Sequence, residues 1–248
     1  VALLRTLGPS LNATTHPVSD AATLIRPVNL RGLPPDNTLV LVNGKRQHRA
    51  AVIAFLGAGI SDGSQGPDIS TIPAVALKQV EVLRDGASSQ YGSDAIAGVI
   101  NFILKDDPSG GSLEAKWGQT YEGDGASYQV AGNVGLPIGA NGFLNLSAEY
   151  QQTDATSRSV QRDDAAALIA AGNLAVANPA QIWGQPEIKD DIKVYANFGI
   201  DLNDDHHLYA FANYATRETE GGFFFRNPTN RPGVYAGPLV NPTTGAAQ

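Results

Sequence analysis

The sequence predicts an α/β domain followed by the antiparallel strands of a transmembrane β-barrel, an incomplete barrel of about five strands. Three observations predict this. Residues 78–105, KQVEVLRDGASSQYGSDAIAGVINFILK, read as two strands around a turn-rich connector. Beyond Pro108 the text changes to segments of roughly ten residues that alternate apolar and polar. The connectors between those segments alternate short and variable in length, as barrel turns and loops do.

Composition sets the outer bounds. The chain has 248 residues, enough for one large or two modest domains. It has no cysteine, so neither a disulfide framework nor a thiolate metal site or nucleophile is available. It also lacks methionine and begins at Val1 without a charged and apolar leader, which reads as a processed chain or an internal piece of a longer one. No apolar run reaches the length of a membrane-spanning helix, a fact that leaves barrel strands untouched. The net charge of −7 argues against a general nucleic-acid binder. No cofactor and no metal are expected.

The first domain is read over residues 1–107. Leu39 to Asn43 is a buried-strand candidate that ends at Asn43-Gly44, a strong tight-turn dipeptide, with Lys45 to Gln47 as the return strand. Ala50 to Leu56 is apolar and fits helix or strand. Ser61 to Asp68 is a loop by composition. Pro73 fits the first position of a short helix, Pro73 to Lys78, capped near Ser70 or Thr71. In residues 78–105, Val80 and Val82 alternate with Gln79, Glu81 and Arg84. Val99 to Leu104 is nearly continuous in apolar residues. Gly86, Gly92 and Gly98 punctuate the connector and permit positive φ and close backbone approach.

The second domain, 108–248, follows the break DDPSGG at 106–111. Leu113, Ala115 and Trp117 oppose Glu114, Lys116 and Gln119. Tyr128, Val130, Val134 and Leu136 oppose Gln129, Ala131 and Asn133. Leu144, Leu146, Ala148 and Tyr150 oppose Asn145, Ser147 and Glu149. Ile192, Val194, Ala196, Phe198 and Ile200 oppose Lys193, Asn197 and Asp201. In the fifth segment, 208–215, Tyr209 and Phe211 alternate with Leu208, Ala210, Ala212 and Tyr214. The connectors are 121–125, 137–142, a long 152–190 and 203–206. Trp117, Tyr128, Tyr150 and Tyr214 suit interfacial aromatic girdles. Asp163 reads as the cap of a short helix in the long loop, ended at Gly172.

The wording of 78–105, and of LRGLPPDNTLVLVNGKRQH at 30–48, resembles the plug domain of TonB-dependent outer-membrane receptors, with few gaps from residue 26 to 105. The segment 1–12 also looks like the middle of a plug. The resemblance implies an outer-membrane location in a Gram-negative bacterium and active transport rather than catalysis. It implies a scarce nutrient as ligand: siderophore-bound iron, vitamin B12 or an oligosaccharide. It implies TonB and outer-membrane lipid as partners, and places the TonB-binding box outside this sequence. A barrel around such a plug has about 22 strands, so five make a fragment, because an open edge in lipid leaves backbone groups unsatisfied. With strand one running outward, the 137 and 203 turns fall in the periplasm and the 152–190 insert outside the cell. By topology the ligand-facing plug residues are Arg46, His48, Arg49, Gln65 and Asp68. Arg31, Gly32, Gly44, Gly86, Tyr91, Gly92, Gly98 and Asn101 match the plug pattern as structural positions. Glu81 and Arg84 are expected to meet the polar lumen and hold the plug displaceably.

Other motifs carry competing readings. Gly59 to Gly63 matches G-x-S-x-G, but the helix-hostile Ser64 to Pro67 follows, against a nucleophile elbow at Ser61. Gly57-Ala58-Gly59 lacks the third glycine of a dinucleotide loop. His206 and His207 point to opposite faces of a strand and do not share one ion readily. Two alternatives stay open: a soluble secreted β-rich binding protein and an α/β hydrolase using Ser61. A single-layer sheet with a bare apolar outer face favours the transporter; face-to-face pairing with a second sheet disfavours it.

Overall fold

The computed structural model describes residues 10–13, 24–54, 59–222 and 224–229. The readings of 1–9, of Phe55 and Leu56, and of Gly57-Ala58 lie outside these residues. In the first unit, β1 (Leu11–Asn12) pairs antiparallel with β2 (Asn29–Leu30). The main sheet joins β3 (Thr38–Val42), β4 (Lys45–Arg46), β5 (Leu77–Leu83) and β6 (Gly98–Leu104) in the order β4-β3-β6-β5. The β3–β6 pair is parallel and the other two are antiparallel. All five residues of β3 are buried, because a parallel pair is covered on both faces. One face places Val40, Val42, Ile100, Phe102 and Leu104 against Val28, Leu30, Ile69 and Ile72. The other packs Leu39, Leu41 and Val99 on Ala87 and Ala95.

Two local expectations change. The helix expected from Pro73 to Lys78 is one 3-10 turn, Ala74–Ala76, with Pro73 as its N-cap. Pairing with β6 claims Leu77 onward for the ladder, so the helix has no room. The capping carboxylate, Asp68, serves an earlier turn, Ile69–Thr71, by accepting from Ser70 N. Residues 50–54 form neither helix nor strand; Ala54 instead exchanges backbone hydrogen bonds with Gly63 and Ser64. The connector between β5 and β6 holds a short helix, α1 (Ser88–Tyr91).

The second unit is a five-stranded meander. It consists of β7 (Gly111–Gly118), β8 (Ser127–Ile138), β9 (Gly142–Thr153), β10 (Glu187–Asn203) and β11 (His206–Glu220), in the order β11-β10-β9-β8-β7. From β8 onward the strands have 12, 12, 17 and 15 residues, long enough for a tilted strand to cross a bilayer. Strands run further than their alternation alone implies. Pro137 lies inside β8 opposite Phe143, so the second turn tightens to 139–141, where Gly139 has φ +60°. The long connection narrows to 154–186. Its helix α2 (Asp163–Ala170) is flanked by Arg162 at the N-cap, so Asp163 is the first helical residue and not the cap. Both Asp163 and Asp164 sit in the first turn, where the helix dipole favours negative charge. Gly172, at φ +96°, follows the helix as expected.

Register sorts the side chains. Leu113, Ala115 and Trp117 align with Gly132, Val130 and Tyr128. These align in turn with Ala148, Tyr150 and Gln152 on β9, then with Val194 and Ile192 on β10 and Tyr214 on β11. This face is apolar and bare: Leu113 is 80% exposed, Trp117 73% and Tyr214 63%. The opposite face buries Asn145, Ser147, Glu149, Asp191, Lys193, Tyr195 and Asn197. Gln119 lies beyond the end of β7. Trp117, Tyr128 and Tyr150 cluster at the long-loop end, with 6.3 Å between the two tyrosine rings, whereas Tyr214 is at mid-strand.

The buried polar face lies against the first unit, where Tyr195 and Phe211 reach its core. The contact runs from β8 and β9 to the 3-10 turn Ala74–Ala76, and contact with the first unit alone does not discriminate the alternatives. Polarity does: a soluble protein hides its apolar face, whereas this sheet hides its polar one.

The loops at the far end are tied together. Asp124, in the β7–β8 turn, accepts from Arg158 of the long loop at 2.5 and 3.0 Å and from the Thr120 hydroxyl. The Arg158 hydrogen bonds, with that of Thr120, hold the Asp124 carboxyl well below the usual carboxylate range. A depressed carboxyl stabilises the clamp above the free value near pH 4 and loses that contribution as pH falls through the folded value. Limited proteolysis of the long loop is therefore expected to be flat from about pH 7 to pH 4 and to rise below that. Asp124→Asn is expected to raise it already at neutral pH.

Candidate functional site

The β3–β4 hairpin builds the first candidate site. Asn43 and Gly44 both have positive φ, +47° and +74°, as a two-residue turn demands. The turn is pinned on three sides. Gly44 N donates to Asn101 Oδ1 at 3.0 Å, Leu104 N donates to Asn43 Oδ1 at 2.9 Å, and Asn43 Nδ2 donates to Asn197 Oδ1 of β10 at 3.2 Å. The return strand then carries Arg46, His48 and Arg49 to a cavity of about 310 Å³. Gln65, Asp36 and Asp94 also line it. Asp94 pairs with Arg46 and, at 3.6 Å, with Arg49; both arginines stay half-exposed. Gln65 is bonded to the Asp36 carboxylate through its backbone N at 2.9 Å and to Ala50 O through its side chain at 2.8 Å. Four of the five residues predicted to face a ligand thus share one cavity. It offers two guanidiniums on a single carboxylate, a site where an anion can compete for Asp94's place.

Asp68, the fifth, lies elsewhere. Its side chain is 12% exposed and pairs with Arg217 of β11 at 3.2 Å. Arg217 also donates to Ser70 Oγ at 2.9 Å and Leu24 O at 2.6 Å. Asp68 further accepts from Arg26 N at 3.0 Å, Ser70 N at 2.9 Å and Ser70 Oγ at 2.6 Å. Next to this contact is a cavity of about 190 Å³ lined by Arg26, Ser70, Glu149, Asp191, Lys193 and Arg217, among others. Lys193 bridges Glu149 at 2.5 Å and Asp191 at 3.1 Å, all but buried. Register and alternation make this triad: Lys193 pairs directly with Glu149, and Asp191 is two residues before it on the same face of β10. The register slips between Lys189 and Ile192, with Asp190 at φ +47°, so that Ile188 and Asp191 both face inward. Sequence reading named Glu149 and Lys193 as polar-face residues but missed their pairing. Arg217 lies past Ala215, where β11 runs on through polar residues that carry no apolar alternation.

The motif positions have structural roles. Arg31 and Gly32 turn the chain with φ of +58° and +71°. Asn101 couples the hairpin turn to β5 by donating to Glu81 at 3.0 Å, and Gln79 donates to the other oxygen of Glu81. Glu81 opposite Asn101 shares the sheet face of Leu41, away from β7–β11. Arg84 follows on the same connector. Gly86 passes close to Ile96 O, and Tyr91 O accepts weakly from Arg46 before Gly92 turns at φ +87°. Gly98 is the tightest of these motif glycines: a Cβ there would lie 2.2 Å from Leu83 O.

The competing motifs resolve against chemistry. Ser61 is buried at the end of a 3-10 turn with no helix after Gly63, so the nucleophile elbow is not formed. His206 and His207 bond separately to Asn203 and Asp201.

An α/β domain seated on the polar face of a strand meander whose apolar face is bare defines a plugged membrane barrel. Known proteins share this arrangement. The model of the TonB-dependent receptor plug domain matches residues 2–99. The chain is 32% identical over 151 residues, 59% of its length, to a probable TonB-dependent siderophore receptor, PirA, of Acinetobacter baumannii. It is 27% identical over 183 residues to the ferrienterobactin receptor of Escherichia coli, 72% of this chain. These matches cover 20% and 24% of the two relatives, so the chain spans about a quarter of their length or less. The ferric enterobactin receptor PfeA superposes over 88% of this chain and 30% of its own with a TM-score of 0.64 at 21% identity. The ferric citrate transporter FecA superposes over 86% and 28% with a TM-score of 0.54 at 16% identity. Residues 2–99 thus match the plug domain of TonB-dependent receptors, and antiparallel strands follow it.

Proposed function

We propose that this chain is the plug, residues 1–107, and the first barrel strands, from 108, of an outer-membrane transporter that imports a ferric siderophore with energy supplied through TonB. The observation that carries this reading is the inverted polarity of β7–β11, with the plug on the polar face and the apolar face left for lipid. Strands beyond these five close the wall, because lipid cannot satisfy the backbone groups of an open edge. The long loop 154–186 then lies outside the cell. The turns at 139–141 and 204–205 lie in the periplasm.

Iron is favoured over vitamin B12 or an oligosaccharide on two grounds. The relatives reported above carry siderophore receptor or ferrienterobactin receptor as their names. The Arg46–His48–Arg49 cluster also suits a negatively charged chelate better than a neutral sugar. Binding of ferric enterobactin, ferric citrate and cyanocobalamin to outer membranes carrying the parent receptor tests this. One of the ferric chelates is expected to bind, and the Arg46→Ala, Arg49→Ala double variant to weaken it about tenfold. Binding of cyanocobalamin with neither chelate retained contradicts the siderophore reading.

A further inference from the structure

The seam between the plug and β9–β11 carries charge that the ligand cavity does not use. We propose that Arg217 is the positioning residue that latches the plug to the barrel wall, and that the plug parts from the wall along the polar seam beside it. This rests on the transporter reading above.

Three features carry the proposal. First, the acceptors of Arg217 among the described residues belong to the plug: Leu24 O, Asp68 Oδ2 and Ser70 Oγ. Asp68 at the same time holds Arg26 N and Ser70, so one guanidinium from β11 gathers two plug segments that are far apart in sequence. The Arg217 and Asp68 side chains are 18% and 12% exposed, so solvent screens the pair little. Second, the neighbouring cavity of about 190 Å³ is lined mostly by polar and charged groups and has room for several waters. Parting here exposes polar and charged groups that water solvates readily, whereas parting at Tyr195 and Phe211 exposes apolar core. Third, the wall keeps its own charges balanced. Lys193 is matched by Glu149 and Asp191 across β9 and β10, and those pairs survive when the plug moves. The ion pair Arg217–Asp68 crosses the seam and must break, together with the neutral Asn43–Asn197 hydrogen bond.

The test uses the parent receptor in the outer membrane of cells lacking TonB. Thr71, half-buried beside Ser70 and Arg217 at a second small cavity on the seam, is changed to cysteine in this cysteine-free stretch. Ala87→Cys, on the opposite face of the plug sheet, is the control. Reaction with a membrane-impermeant maleimide is followed in time. Arg217→Ala is expected to speed labelling at residue 71 by about tenfold, the shift that losing one set of charge-assisted hydrogen bonds produces, and to leave residue 87 unchanged. Arg217→Lys, which keeps the charge but not the fork, is expected to fall between. Labelling that does not change at 71, or that rises equally at 71 and 87, overturns the latch. If Arg217→Ala does not assemble, Arg217→Gln is read by the same criteria. Ferric enterobactin and ferric citrate binding are measured on the same cells. Loss of both with the labelling pattern intact would overturn the ligand reading and not the latch.

Discussion

Gly98→Ala is expected to prevent a stable plug. Gly98 opens β6 at φ +142°, a conformation that an L side chain rarely adopts. An added Cβ would meet Leu83 O at 2.2 Å and Leu30 Cδ1 at 2.9 Å. The leucine methyl can move, but the carbonyl belongs to β5, whose Leu83 pairs with Val99. Relief therefore breaks the β5–β6 ladder beneath Phe102, a large and fully buried side chain. Strain and overpacking together cost about 3–5 kcal/mol. Gly110→Ala is the contrast. It also has positive φ, +86°, but open space where the Cβ would go, and should cost about 1 kcal/mol. Protease resistance of the plug in isolated outer membranes reads both. A resistant plug in the Gly98→Ala receptor contradicts the account of this turn.

Lys193→Met is expected to have the second large effect, for an electrostatic reason. The ammonium is nearly buried between Glu149 and Asp191, whose side chains are each 5% exposed. Its removal leaves two carboxylates facing each other with little solvent, a loss of about 3 kcal/mol. Replacing all three residues, with Glu149→Leu and Asp191→Leu added, should recover most of this, because the cost lies in unmatched charge and not in lost packing. The temperature at which the folded band on a gel converts to the unfolded one measures each variant. A single variant that converts at the wild-type temperature contradicts a buried, paired triad.

Much of this architecture was legible because its signals are periodic. The alternation from Leu113 to Tyr214 fixed which face each strand offers, and register places those residues on one side. Asn43-Gly44 marked the hairpin because only a few residues tolerate two positive φ angles in succession. What stayed hidden depends on breaks in periodicity. The bulge at 189–192 shifts the face by one residue, so the alternation that runs from Asp191 onward does not show that Ile188 also faces inward. Pro137 reads as a turn residue but sits in a strand, since the ladder tolerates one missing donor. The Pro73 helix failed because pairing with β6 overrode a local start signal. Asp68 looked like a free loop acid. Its partner Arg217 is 149 residues away, a separation that local pattern does not reach.

The central claim is that a plugged barrel wall, not a soluble binding protein, is built from these residues. The most direct measurement is fractionation of cells expressing the parent receptor, with uptake of the ferric chelate that binds followed in strains with and without TonB. The account predicts an outer-membrane band that shifts on boiling, chelate binding in both strains and uptake only where TonB is present. A soluble product that does not shift, or uptake that is the same without TonB, would contradict it.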